Sequence, residues 1–216
     1  MKNVLVAMLL LVAGSSDAIA GAKSWHVGYV ILPDGRKLEG KLSYNWKADM
    51  IQVQLPNGLT KVYSAGQADS FVFFDNSLQL LRKFNALDLP VATKRSRPAF
   101  LEELTTGSLT VYRRLRPVRQ FIKIIRPSVF NNDNDLLKDP DNFDYLVIDS
   151  EGRVFDLTSF DQHLWPKMAA HQTRLANYLK GQAMDPSTTV ARLIMISQFN
   201  FLDVATKATA TSVTGE

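Results

Sequence analysis

The sequence predicts an α+β protein, mainly antiparallel β, with about ten short strands in successive hairpins and two C-terminal amphipathic helices. Three observations predict this class. Apolar and polar residues alternate with a period of two through most of the chain before Thr158. Turn-forming sequences recur between the alternating segments. After Thr158 the apolar period changes to about 3.6 residues, which is typical of helices.

Three hairpins are predicted in the first part of the chain. Pro33–Arg36 forms a turn because Pro presets φ and Gly35 accepts positive φ. Asn57-Gly58 between apolar alternations favours a tight hairpin, and Asp75-Asn76-Ser77 separates a third pair of strands. The six strands are predicted over Trp25–Leu32, Lys37–Tyr44, Met50–Leu55, Leu59–Ser64, Ser70–Phe74 and Leu78–Phe84.

The stretch Phe100–Ile125 is predicted to form the middle of the sheet, after an exposed connection over Asn85–Pro98. Two strands flank the turn at 106–108, and a third begins after Pro117. Along the second strand the side chains alternate in direction, so Arg113 shares the apolar face while its neighbours point the other way. The apolar-face residues are Leu109, Val111 and Leu115, and the opposite-face residues are Thr110, Tyr112 and Arg114.

The C-terminal part is predicted to pass from one last hairpin into helices. Phe143–Ile148 and Arg153–Leu157 flank a turn at 149–152. A first helix is predicted to end at Gly181, and one of its faces carries Leu164, Met168, Leu175 and Leu179. A second helix is predicted to begin at Asp185-Pro186, an N-cap followed by proline. Its amphipathic pattern is formed by Val190, Leu193, Ile194, Ser197 and Phe201. The helical part spans about 159–203 and covers one face or end of the sheet. Residues 207–216 are predicted to be a flexible tail.

The N-terminus predicts export. Lys2, the apolar run Val4–Ala13 and the small residues Ala18 and Ala20 have the pattern of a cleaved signal peptide over residues 1–20. The run is too short to span a bilayer, so a retained anchor is the alternative, and no transmembrane segment is expected after cleavage. The absence of cysteine excludes disulfides and a lipid-modified cysteine. We therefore expect one β-rich domain over residues 21–206, located in the periplasm or outside the cell.

Two adjacent blocks of opposite charge mark the middle of the chain. Lys94–Arg126 has nine Lys or Arg against two Glu, and Pro127–Asp161 has nine Asp or Glu against one Lys and one Arg. The basic block predicts an anion-binding stripe that suits an anionic glycan, with Tyr112, Arg114, Arg119 and Lys123 as candidate ligand-binding residues. Pairing between the two blocks is the leading alternative. Nucleic acid would suit the charge, but export argues against it.

Four segments together resemble a known family. They are Gly28–Trp46 (GYVILPDGRKLEGKLSYNW), Phe100–Arg114 (FLEELTTGSLTVYRR), Tyr145–Leu157 (YLVIDSEGRVFDL) and Gln198–Asn200. They resemble an uncharacterised, signal-peptide-bearing family of secreted or periplasmic proteins of Bacteroidota. The resemblance implies a secreted β-rich domain with a helical C-terminus, and it carries over no catalytic residues.

The sequence offers weak metal-site patterns. Asn131, Asp133 and Asp135 imitate the start of a calcium loop, but Leu136 stands where glycine is required and Asn142 where a bidentate glutamate is required. Asp139 and Asp141 could add oxygens to a looser site. The three histidines, His26, His163 and His171, lack the spacing of a zinc pair. No metal or cofactor is therefore predicted.

Catalytic motifs are also weak. The chain has no cysteine nucleophile, no Gly-x-Ser-x-Gly elbow and no phosphate-binding loop. Glu102 and Glu103 are adjacent and point to opposite faces of a strand, so they cannot act as a glycosidase pair. We expect a non-catalytic envelope or extracellular module that binds an anionic glycan or an envelope protein. The alternatives are a hydrolase with an unrecognised site around Asp161 and His163, and a calcium-stabilised structural module.

Overall fold

The computed structural model describes residues 24–88, 97–116 and 138–213, with side chains described to residue 206. Ten strands form one antiparallel sheet in the order β10-β9-β8-β7-β6-β5-β1-β2-β3-β4. The strands are β1 (His26–Ile31), β2 (Lys37–Asn45), β3 (Met50–Gln54), β4 (Thr60–Ser64), β5 (Ser70–Asp75), β6 (Leu80–Asp88), β7 (Pro98–Thr105), β8 (Leu109–Leu115), β9 (Phe143–Asp149) and β10 (Val154–Asp156). The predicted antiparallel, hairpin-rich sheet with helices near the C-terminus is confirmed.

Two strand predictions differ from the structure. The connection predicted over Asn85–Pro98 is shorter, because β6 continues to Asp88 and β7 already begins at Pro98. Asn85 extends the ladder by pairing with Leu101, and proline is tolerated at Pro98 because the first residue of a strand can lack a ladder donor. The strand predicted after Pro117 lies outside the described residues.

The helical part begins irregularly. Short 3₁₀ and π-helical turns run from Leu157 to His171, and the regular helix α1 spans Gln172–Gly181. The first predicted helix is therefore divided. Pro166 lies at the start of the last short turn, and because it has no backbone N–H it cannot continue an α-helical hydrogen-bond pattern from upstream.

The long helix α2 spans Thr189–Val213 and differs from the prediction at both ends. Asp185 accepts hydrogen bonds from Ser187 in the preceding turn, while the Thr188 hydroxyl accepts from the Ala191 N–H as the cap of the helix. At the C-terminal end the helix continues through most of the predicted tail. No glycine or proline interrupts 189–213, so the backbone continues as a helix although the apolar period has ended.

The buried apolar side chains form one cluster. We call the sheet face that bears it the inner face and the opposite face the outer face. Helical residues from Phe160 to Phe199 belong to the same cluster, so the C-terminal part packs on the inner face. Inner-face members from the strands include Val30, Leu42, Ile51, Phe71, Phe84, Phe100, Val111, Phe143 and Val147.

The sheet is strongly curled around this core. Trp46, directly after β2, lies edge-on to Phe143 of β9 with ring centroids 5.3 Å apart. Six strand spacings separate β2 from β9, and at about 4.8 Å each a flat sheet would hold them about 29 Å apart. The inner face is therefore concave.

Two glycines lie directly opposite each other in the first two strands of the chain. Gly28 of β1 pairs with Gly40 of β2. A Cβ on Gly28 would overlap the Val72 carbonyl oxygen of β5, and a Cβ on Gly40 would overlap the Gln54 carbonyl oxygen of β3. The missing side chains allow both neighbouring strands to approach closely at this point.

Helix α2 is attached to the β7–β8 turn by hydrogen bonds. The Asn200 amide accepts from the Leu109 N–H at 3.0 Å and donates to the Leu109 carbonyl at 2.7 Å. A second contact joins Ser108 to Asp203. Asn200 therefore takes the place of a strand partner beyond the last β7–β8 register pair, Thr105 with Val111, and this satisfies both backbone groups of Leu109.

Candidate functional site

The candidate stripe residues that the structure describes lie together on the outer face of β8. Tyr112 is opposite Glu103 and Leu146, and Arg114 is opposite Asp144. This is the predicted common face. Arg119 and Lys123, the other two candidates, lie outside the described residues.

Tyr112 and Arg114 already have partners in the fold. The Tyr112 hydroxyl donates to Glu103 at 3.4 Å, and burial together with the Glu103 carboxylate raises the pKa of Tyr112. Asp144 lies 3.7 Å from the Arg114 Nε and 2.9 Å from the Arg116 Nε. Arg114 and Arg116 are thus both paired with one carboxylate of the acidic block.

Carboxylates of the acidic block are also engaged elsewhere in the fold. Asp149 is bound by Arg153 at 2.8 Å and by Lys167 at 2.9 Å. Burial alone would raise the pKa of Asp149, but the hydrogen bonds from these cations and from backbone N–H groups hold it well below its usual range. Asp161 pairs with Arg192 at 2.7 Å. The cations that pair with Asp149 and Asp161 lie outside the basic block, so among the described pairs it is those of Arg114 and Arg116 with Asp144 that join the two blocks.

A buried chain of four charges crosses the inner face of β5, β6, β7 and β8. Arg82 lies between Asp75, at 3.2 Å, and Glu102, at 2.6 Å. The second Glu102 oxygen accepts from Arg113 at 2.6 Å. The side chains of Asp75, Arg82 and Glu102 are at most 4% exposed, and that of Arg113 is 14% exposed.

Aromatic rings surround this charge chain. The Arg113 guanidinium lies 4.4 Å from the Phe143 ring centroid, and the Arg82 guanidinium lies 5.3 Å from that of Trp46. Alternation correctly placed Arg113 among apolar neighbours. Its partner is nevertheless Glu102 of the adjacent strand rather than a carboxylate of the acidic block. Since opposite charges alternate along the chain, the four charges neutralise one another inside the core.

Asp49 is a separate, half-buried acceptor in the β2–β3 turn. It accepts from the Tyr44 hydroxyl at 2.7 Å and from the Phe100 N–H at 3.2 Å, and its φ is positive at 52°. Burial raises the pKa of Asp49, although these hydrogen bonds and the charge of Arg114 oppose the effect. Protonated Asp49 is therefore favoured in the folded state relative to the unfolded state. Its contribution to the free energy of unfolding is complete below the ordinary pKa of 3.8 and is lost as the pH rises through the raised pKa of the folded state.

Asp49→Asn is expected to be as stable as the original protein or more stable at pH 7. Asparagine keeps an acceptor oxygen, tolerates positive φ and removes the cost of a buried charge. Asp49→Ala, which removes both acceptors, is expected to lose about 2 kcal/mol. Denaturant unfolding at pH 7 and below pH 3.8 tests this, and an Asp49→Asn variant as unstable as Asp49→Ala at pH 7 would contradict it.

The metal and hydrolase alternatives obtain little geometric support. The calcium-loop-like segment 131–136 lies outside the described residues, while the Asp139 carboxylate accepts from the Asp141 N–H as a local cap. Within the described parts of the chain, no group of three His, Asp or Glu side chains could hold a metal ion. His163 lies beside the Phe155 ring at 6.0 Å, whereas Asp161 pairs with Arg192, so the two residues of the hydrolase hypothesis contact different partners.

Exposed apolar side chains gather at one end of the sheet. The β1–β5 register places Val27 beside Phe74, and Phe74 pairs directly with Leu81 of β6. Val27 is 72% exposed and Leu81 is 69% exposed. We call the exposed residues Val27, Phe74, Leu78, Leu80 and Leu81 the apolar end.

Other features lie close to the apolar end. The exposed Phe201 and Val204 flank the α2 residues that contact the β7–β8 turn, which is at the same end of the sheet. An open groove of about 690 Å³ begins at Val27 and continues past Lys41 to Leu55. The apolar surface is therefore continuous with a concave one.

Sequence reasoning did not identify the apolar end. The available signal was the run Leu78–Leu81, in which Leu80 and Leu81 are adjacent and must point to opposite faces of a strand. One of them is then expected on the outer face, unless a further layer covers it. Exposure itself could not be read from the sequence, because it depends on which faces the helices cover.

No protein-family model, curated protein or solved structure matches this chain. The Bacteroidota resemblance accordingly stays a prediction, and the chain's own residues carry the functional argument.

Proposed function

We propose that this chain is an exported, non-catalytic module of the cell envelope or the extracellular space, and that it binds its partner through the apolar end. The observation that carries the proposal is the exposure of five large apolar side chains, four on the adjacent strands β1, β5 and β6 and one, Leu78, in the β5–β6 turn. Contiguous apolar patches on soluble proteins commonly mark interaction sites, because exposing them to water is unfavourable.

Export is supported by the N-terminal sequence. Residues 1–20 combine a basic start, a short apolar run and a small-x-small site. The described residues contain no helix long and apolar enough to cross a bilayer. A family of secreted or periplasmic β-rich proteins, which four segments of the chain resemble, fits the same compartment. Two amphipathic C-terminal helices, as the sequence predicts, would serve this module as the cover of its inner face.

An anionic glycan is the less supported partner. Of the four candidate ligand-binding residues, Tyr112 and Arg114 contact Glu103 and Asp144. A glycan carboxylate or sulfate would have to compete with these intramolecular groups. Among the described residues, no intramolecular group competes in this way for the apolar end. Burying its side chains against a partner would therefore gain the full hydrophobic free energy of the buried area.

Cell fractionation tests this proposal. The full chain, expressed in a bacterium, is expected in the envelope or secreted fraction with Gly21 as its N-terminal residue, and the Leu78→Ser, Leu81→Ser double variant is expected to lose envelope association. The matched control is Leu59→Ser, Val62→Ser, which changes two exposed apolar residues directly before and within the edge strand β4, four strands from β5. An unprocessed cytoplasmic chain, or equal fractionation of both variants, would overturn the proposal.

A further inference from the structure

The β5–β6 turn has exposed apolar residues on both faces of its hairpin. Phe74 and Leu81 lie on the outer face, whereas Leu80 pairs with the inner-face residue Asp75. Leu78 lies in the turn itself, and all four apolar side chains are exposed. A strand that docks flat on a partner needs one apolar face only. Apolar residues on both faces and at the tip instead suit insertion into an apolar medium.

Several polar groups of this turn form hydrogen bonds within the turn. One Asp75 oxygen accepts from the Ser77 N–H at 3.0 Å, from the Ser77 hydroxyl at 2.6 Å and from the Leu78 N–H at 3.3 Å. The Gln79 amide donates to the Asn76 carbonyl at 2.7 Å. Because an unsatisfied polar group in an apolar medium costs several kcal/mol, this internal bonding lowers the penalty of removing the turn from water.

The charges around the turn suit a lipid headgroup layer. The only charged residue from Phe74 to Leu81 is Asp75, which is buried and paired with Arg82. Two lysines lie on the same outer face: Lys41 is level with Val27 in the β1–β2 register, and Lys83, 49% exposed and paired with Glu103, follows Leu81 along β6. An apolar tip with Lys41 beside it and Lys83 behind it suits the anionic phosphates of a bilayer surface.

The chain also enters the fold at this end. Strand β1 begins at His26, beside the last residues of β5. Residues 14–25 separate this point from the apolar run Val4–Ala13, for which the sequence predicts an export signal or a retained anchor. A retained anchor at Val4–Ala13 would hold this end of the sheet close to the membrane.

We propose that the β5–β6 turn is a membrane-contacting wedge, in which Phe74, Leu78, Leu80 and Leu81 insert into the headgroup region of a phospholipid bilayer. This inference rests on the proposed function, since it names a lipid surface as the partner of the apolar end. The attachment of Asp75 to the buried charge chain holds the wedge rigidly on the core.

Vesicle flotation tests the inference. The chain as processed by the producing cell is mixed with vesicles of phosphatidylcholine and phosphatidylglycerol. The original protein is expected to float with the vesicles. The partition coefficient of Leu78→Ser, Leu81→Ser is expected to fall at least about tenfold, because two leucine side chains are lost from the contact. Leu59→Ser, Val62→Ser is expected to behave like the original protein.

A fluorescence measurement separates insertion from loss of folding. Leu81→Trp is expected to shift its emission to shorter wavelength when vesicles are added, whereas Leu59→Trp is expected not to shift. Absence of flotation, equal flotation of both serine variants, or no shift at position 81 would overturn the inference. If flotation is absent while Leu78→Ser, Leu81→Ser still loses envelope association in cells, the proposed function stands with a protein as the partner. Concentration-dependent self-association that the same variant abolishes, without flotation, would assign the apolar end to a second copy.

Discussion

Gly28→Ala is expected to lower the free energy of unfolding by more than about 4 kcal/mol, or to prevent folding. The added Cβ would overlap the Val72 carbonyl oxygen and lie 2.8 Å from Phe73 Cα. These are backbone and near-backbone atoms of β5, so no flexible side chain can move aside. Relief of the overlap requires β1 and β5 to separate, which breaks ladder hydrogen bonds in the middle of the sheet.

Gly66→Ala is the matched control, because the nearest atom to its added Cβ is 3.8 Å away, at Pro98. It is expected to change stability by less than about 1 kcal/mol. Urea unfolding followed by circular dichroism gives both values. If Gly28→Ala were as stable as Gly66→Ala, the close approach of β1 and β5 would be refuted.

Glu102→Gln is expected to destabilise the protein by about 3 kcal/mol. The substitution keeps the size of the side chain but leaves Arg82 and Arg113 as buried cations with less compensating charge. Breaking one member of a buried ion pair is costly because the remaining charge cannot reach water. The effect is expected to be partly recovered in Glu102→Gln, Arg113→Met, where one of the two cations is also removed.

Glu39→Gln provides the control with the same chemical change. Glu39 pairs with Lys37 at 2.7 Å, but both side chains are exposed, so Glu39→Gln is expected to leave the free energy of unfolding nearly unchanged. Unfolding in urea, compared at equal salt, distinguishes the two positions. Equal losses at Glu39 and Glu102 would show that the inner-face charge chain is solvated rather than buried.

Local sequence was enough to predict the hairpins. Asn57-Gly58 and Pro33–Arg36 specify turns through the backbone conformations that these residues allow, and both turns connect strands in the structure. Helix limits were harder to predict. The cap at Thr188 depends on a local hydrogen bond, and the extension of α2 to Val213 depends on the absence of glycine and proline. The period of the apolar residues contains no information about either.

For the candidate stripe on β8, the sequence predicted the face of each side chain but not its partner. Alternation correctly placed Tyr112 and Arg114 on one face and Arg113 on the other. The partners of these residues depend on strand register. The β7–β8 pairing sets Glu102 opposite Arg113 and Glu103 opposite Tyr112. No pattern within one strand specifies that register.

The sequence by itself determined the β-rich class, the order of hairpins, the helical C-terminus and the inward direction of Arg113, because all of these follow from residues close together in the chain. Only the tertiary structure decided that Gly28 and Gly40 lie opposite each other, that four charges neutralise one another in the core, and that the Leu78–Leu81 run remains exposed. These features arise from contacts between strands distant in sequence. Their energies depend on burial, which is defined only when the sheet has curled around its core.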